Sequence, residues 1–156
     1  MDPNQYRETV ATNRRKHGFE AIDDGADEFD PVWVTRDDDA SVGDVAVLAT
    51  LVDDSDPDPR TVTARADEFR DVLVGRIDDR PGSTTPLGYV VFPVADPDPS
   101  LVDAARSYTV ARRRTNVFPL VYDCESERLH RHEIPRLKGR GIYRRQAEDA
   151  DRLFDV

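Results

Sequence analysis

The chain has 156 residues, enough to bury a substantial core, and it carries 32 acids against 22 bases for a net charge of −10. A hydrophobic share of 38% beside a charged share of 35% would fit disorder if the apolar residues were scattered, but they fall in periodic clusters, which predicts folding. The longest apolar runs fall far short of the roughly 20 residues of a membrane span, and the lone Cys124 excludes an internal disulfide and a multi-cysteine zinc site.

Asp2-Pro3 reads as an N-cap followed by proline in the first helical turn. Tyr6, Val10 and His17 fall on one face of that helix, so His17 is expected to pack, and Gly18 is expected to end it. The opening stretch is too polar for a secretory signal, so the expected location is cytoplasmic, with no membrane partner. "FEAI" (19–22) reads as a short strand, residues 23–30 as an acidic turn, and "PVWVT" (31–35) as a second strand with Pro31 at its start. "DDDASVGD" (37–44) is expected to turn the chain into "VAVLATLV" (45–52), which is apolar on both faces and therefore a central strand.

After a loop at 53–60, Val62, Ala66, Phe69, Leu73 and Ile77 mark an amphipathic helix. Residues 78–88 read as a second long loop and "YVVFPV" (89–94) as a buried strand. Asp98-Pro99 starts another helix, lined by Leu101, Ala105, Tyr108 and Arg112. "VFPLVYD" (117–123) and "ERLHRHEI" (127–134) read as strands joined by a tight turn at Cys124–Ser126. Residues 135–156 form a basic C-terminal extension with a short helix over 144–154 that turns Ala147, Ala150 and Phe154 inward, while Pro135, Gly139 and Gly141 argue against regular structure before it. The predicted fold is a single three-layer α/β (or α+β) domain over 1–156. Its mixed sheet is flanked by helices in the order helix-β-β-β-helix-β-helix-β-β.

The acids are 24 Asp and 8 Glu and the bases 20 Arg and 2 Lys, a balance that resembles the proteins of extreme halophiles. The element order over about residues 5 to 134 resembles the restriction-endonuclease-like superfamily, including archaeal Holliday-junction resolvases. "YRETVATNRRKHGFEAI" is similar to that family's opening helix, with Glu8 where a metal-assisting acid often sits, and "FDPVWVTRD" and "VAVLATLV" are similar to its second and third strands. The resemblance implies a divalent metal held by an Asp near the second strand and by a Glu-x-Lys on the third. Asp30 or Asp37 matches the first acid, and Asp44 stands at the entrance of the third strand. That strand itself has neither acid nor lysine from Val45 to Val52. Either the resemblance is accidental or the scaffold lacks its catalytic groups, so no catalytic residue and no cofactor are assigned.

Charge is unevenly distributed: residues 106–145 hold eleven bases and four acids, net +7, in an otherwise acidic chain. The candidate binding residues are Arg112, Arg113, Arg114, Arg131, Arg136, Lys138, Arg140, Arg144 and Arg145. They are expected to meet nucleic acid, an acidic protein or second copy, or the acidic remainder of their own domain. A grip of about six phosphate contacts weakens by roughly five orders of magnitude per tenfold rise in salt. Bidentate, partly buried arginine–carboxylate pairs lose less to screening, which favours intramolecular pairing or self-association. His130 and His132 alternate and would point the same way on a strand, where a metal is conceivable with Asp123 or Cys124 across the hairpin. Cys124 with one of these histidines would also give a thiol–imidazole pair, although exposed histidines beside a turn cysteine are the plainer reading. The expected function is a non-catalytic binding or interaction module, possible as a homo-oligomer. The alternative is a nucleic-acid-associated protein or metal-dependent nuclease-like enzyme.

Overall fold

The computed structural model describes residues 1–22, 29, 32–54, 56–76, 84–136 and 140–155. Pro31, Ile77, Leu137, Lys138, Gly139 and most of the turn at 23–30 lie outside them, so the expectations placed there stay open. Helix α1 (Pro3–Lys16) begins on a reciprocal cap, in which the Asp2 carboxylate accepts from the Gln5 N–H while the Gln5 side chain accepts from the Asp2 N–H, both at 2.9 Å. Tyr6, Val10 and Arg14 form its buried face. His17 does not join them: it sits past the last helical residue and is exposed, because Gly18 at φ +77° turns the chain away.

Strands β1 (Glu20–Ile22), β2 (Val32–Asp39) and β3 (Gly43–Leu51) form an antiparallel meander. The acidic run at 37–39, read from sequence as a turn, extends β2 and pairs with β3 in the register Asp37↔Val45, Asp38↔Asp44 and Asp39↔Gly43. The turn is only Ala40–Val42, closed by the Asp39 carboxylate accepting from the N–H groups of Ser41 (2.8 Å) and Val42 (3.0 Å). Helix α2 (Pro59–Arg76) leads to β4 (Thr85–Val94), which absorbs Thr85–Gly88 from the expected loop. At Gly88 a Cβ would lie 3.0 Å from both Leu73 methyl carbons and 3.1 Å from the Phe69 ring, so glycine lets these α2 side chains pack on the strand without giving way.

Helix α3 (Pro99–Ser107) starts on the Asp98 cap and stops earlier than expected, because Tyr108 turns extended. Arg112 is therefore not on α3 but on β5 (Ala111–Arg112), a short strand that the predicted order lacked. Next come β6 (Thr115–Asp123) and β7, which is confined to Arg128–His130 rather than 127–134. The chain finishes in α4 (Arg140–Asp149) and a π-helical segment, Ala150–Phe154, so a regular element starts at Arg140 despite Gly141.

The sheet order is β1-β2-β3-β4-β6-β5, with β7 also on β6. β3, β4 and β6 are parallel and the other pairs antiparallel. Period-two alternation sends Val45, Val47, Ala49, Leu87, Tyr89, Val91, Phe118, Leu120 and Tyr122 to one face, under α1 and the π-helical segment. Leu48, Val90, Phe92, Val94, Val117 and Val121 go to the other, under α2 and α3. The molecule is thus a three-layer α/β structure in which both crossover helices share one face. No helix among the described residues is long and apolar enough to cross a membrane.

Candidate functional site

The C-terminal arginines are drawn into the fold. Arg145, 4% exposed, reaches from α4 to donate from Nε to Asp149 (2.8 Å) and from Nη1 to Asp37 (2.8 Å) and Asp39 (3.5 Å). Arg144 donates to Asp39 at 3.0 Å and also binds Glu148. Asp149 further accepts from the Tyr89 hydroxyl (2.6 Å) and from Arg152 (2.9 Å). Burial alone would raise the Asp39 carboxyl, but the Ser41 and Val42 N–H groups and the two guanidiniums outweigh it and hold the group below its usual range. Arg131 makes a looser pair with Asp151 at 3.5 Å, and Arg136 is exposed. Lys138 and the side chain of Arg140 lie outside the described residues.

The two histidines stand in different surroundings. β7 ends at His130, and the Gln146 side chain takes over the next backbone groups, accepting from His132 N–H at 3.3 Å and donating to His132 C=O at 2.7 Å. His132 is therefore pulled inward, 3% exposed, with Nε2 3.2 Å from the Pro119 carbonyl and its ring edge-on to Phe118. Burial pushes its imidazole down to about 4, against the carbonyl of Pro119. This corrects the exposed, alternating arrangement expected from sequence. Cys124 is in the turn as expected, but it is buried, and burial raises its thiol. Among the described residues no group of three His, Cys, Asp or Glu converges on a metal-sized space. Of the acids matched to nuclease positions, Asp37 binds Arg145, Asp44 accepts from the Thr84 hydroxyl at 2.9 Å, Glu8 is exposed on α1, and Asp30 lies outside the described residues.

Arg112, Arg113 and Arg114 behave differently. Arg112 pairs with Thr115, so Arg113 and Arg114 are the two central residues of a β5–β6 hairpin. Both are left-handed, at φ +50° and +62°, in a turn that ordinarily takes Asn-Gly. Holding two arginines there costs on the order of 1 kcal/mol or more each. Arg113 is tied to Asp71 at 2.6 Å. Arg112 and Arg114 are exposed, with no ion pair among the described residues.

The hairpin is fixed from below by Arg70, a residue the sequence reading missed. It is 2% exposed and donates to the carbonyls of Arg112 (3.1 Å), Thr115 (3.3 Å), Thr109 (2.8 Å) and Val110 (2.9 Å) and to the Thr115 hydroxyl (2.9 Å). Its Nη2 also donates to the Tyr108 hydroxyl (3.4 Å), which in turn donates to Asp67 at 2.6 Å. No carboxylate of the described residues pairs with Arg70 directly, so its charge rests on carbonyls and on this hydroxyl relay. Burial, reinforced by the bond to Asp67, pushes the Tyr108 hydroxyl up. The signal was legible: Arg70 follows Ala66 by four residues, on the buried side of α2.

Beside the hairpin an open groove of about 650 Å³ runs between α2 and α3. Arg60 stands at the start of α2, Arg112 stands on the hairpin, and Thr63, Ala64, Asp67, Ala104, Ser107 and Tyr108 form the walls. Two guanidiniums, those of Arg60 and Arg112, thus share the groove with one carboxylate, that of Asp67. Comparison with protein-family models, curated proteins and solved structures finds no match.

Proposed function

We propose that the chain is a non-catalytic binding module that holds an anionic partner on the Arg112–Arg114 hairpin and the adjoining groove. The observation that carries this reading is the pair of left-handed arginines at 113 and 114, secured by a buried third arginine. Backbone strain persists where the surrounding structure enforces it, and here it presents guanidiniums to solvent in an acidic chain. Arg144 and Arg145 support the fold rather than a partner, which shifts the weight of the basic surface toward the hairpin. The Asp-rich, Lys-poor composition supports a working environment of high salt, in which directional arginine pairing outlasts diffuse attraction.

Thermal-shift measurements with pyrophosphate, citrate, hexaglutamate and a dT oligomer test the proposal. At least one of these anions is expected to raise the melting temperature of the wild type but not that of an Arg112→Ala/Arg114→Ala variant. If none does so, the module reading fails. The nucleic-acid alternative draws on the same arginines and on exposed Arg136, and stabilisation by the dT oligomer alone would favour it.

A further inference from the structure

The groove carries more information than its charge. The Thr63 hydroxyl donates to the Pro59 carbonyl (3.3 Å) and the Ser107 hydroxyl to the Asp103 carbonyl (2.7 Å), so these two groove-lining oxygens are left with lone pairs to accept. Asp67 uses one carboxylate oxygen for Tyr108 and keeps the other. The walls therefore ask for hydrogen-bond donors, while Arg60 at the start of α2 and Arg112 on the hairpin ask for anions. Ala64 and Ala104 keep the walls shallow enough for a backbone to approach.

Resting on the binding-module reading, we infer that the groove takes a short extended acidic peptide segment of a partner protein. Its backbone N–H groups would meet Thr63, Asp67 and Ser107, and its carboxylates would meet Arg60 and Arg112. The pairing of Arg113 with Asp71 sets the hairpin beside the eleventh residue after Arg60, a helical rise of about 16 Å. An extended chain advances roughly 3.3 Å per residue, so about five residues span the two arginines. A phosphodiester strand fits less well. It brings few donors to a wall of acceptors, where an extended peptide brings a backbone N–H at every residue.

The test is fluorescence anisotropy of fluorescein-labelled Glu-Gly-Ser-Gly-Glu against the full chain, with Gln-Gly-Ser-Gly-Gln as the neutral control. The acidic peptide is expected to bind and the neutral one not. Thr63 is exposed on α2, so Thr63→Glu keeps the fold, checked by circular dichroism, while setting a carboxylate among the acceptors. It is expected to weaken binding about tenfold, as is Arg60→Ala, the size of one lost charge-assisted pair. Equal binding of both peptides, or no effect of Thr63→Glu, would overturn the inference. Binding of the dT oligomer with no peptide binding overturns it while leaving the module reading intact. A dimer in sedimentation that Thr63→Glu dissociates, with no peptide bound, assigns the groove to a second copy instead. Failure of every anion removes both readings.

Discussion

Arg14, Arg70 and Arg145 are the buried guanidiniums among the described residues, and each is compensated differently. Arg145 meets carboxylates and Arg70 meets carbonyls. Arg14 meets the Leu153 carbonyl and lies against the rings of Phe19 (5.2 Å) and Phe154 (4.5 Å), with burial drawing its pKa down to about 10. Removing a buried cation weakens the compensation of its partners, so Arg145→Ala, which leaves buried Asp149 with Arg152 and Asp39 with Arg144 as remaining cations, is expected to cost about 3 kcal/mol in urea unfolding. His132 gives a pH dependence. Its folded pKa of about 4 lies below the ordinary histidine value, so the unfolded chain binds the extra proton first. Stability should therefore fall as pH drops from about 6.5 to about 4, by roughly 3 kcal/mol in all. His132→Gln should flatten that slope, and an unchanged slope would show that another group carries it. Asp39 acts at lower pH: its depressed carboxyl contributes stability above the ordinary aspartate value that is lost as pH falls through the folded one. At this scale the sequence exposed the basic residues but not their partners. Asp37 and Asp39 lie more than 100 residues before Arg145, and nothing local distinguishes them from the other acids.

Helix starts were the most legible elements, because Asp2-Pro3 and Asp98-Pro99 carry their caps in adjacent residues. Element ends were less so. β7 stops at His130 because a glutamine sixteen residues later replaces its ladder partner, and α3 stops at Ser107 because Arg70 needs the following carbonyls of Thr109 and Val110. Both reasons are tertiary. The π-helical segment was read from its apolar positions as part of a short helix, and Ala147, Ala150 and Phe154 are indeed buried. What sequence did not show is that α1 holds it by its carbonyls. Asn13 donates to Arg152 (3.0 Å) and Leu153 (3.1 Å), Arg14 to Leu153, and the Tyr6 hydroxyl to Phe154 (2.7 Å). These bonds fill acceptors that a helix end leaves open. Tyr6→Phe combined with Asn13→Ala is expected to cost about 2 kcal/mol and to speed amide exchange across 150–155 more than in β4. Uniform acceleration would mean that the grip is not local.

The strand–helix alternation and the doubly apolar runs made the layered α/β architecture readable, since β3 and β4 could be buried on both faces only between two helical layers. The edge strand β5 escaped notice because two residues carry no periodicity. Over the whole molecule, net charge −10 opposes compaction, and salt relieves that repulsion while the buried Arg145 network is screened far less. The melting temperature is therefore expected to rise by more than about 5 °C between 0.1 M and 2 M KCl. Equal melting in both would show that surface repulsion contributes little. The shared face of the two crossover helices has a further consequence, for synthesis. The layer of α2 and α3 can close as soon as β6 is made, but the opposite face needs α1 together with residues 150–154, which lie more than 130 positions apart. A nascent chain released as far as β7 therefore carries Tyr89, Phe118 and Leu120 beneath an unfinished roof. Between the completion of β6 and the arrival of residues 150–154 this protein is a one-sided sheet on the ribosome, and its sticky side is the last to be covered.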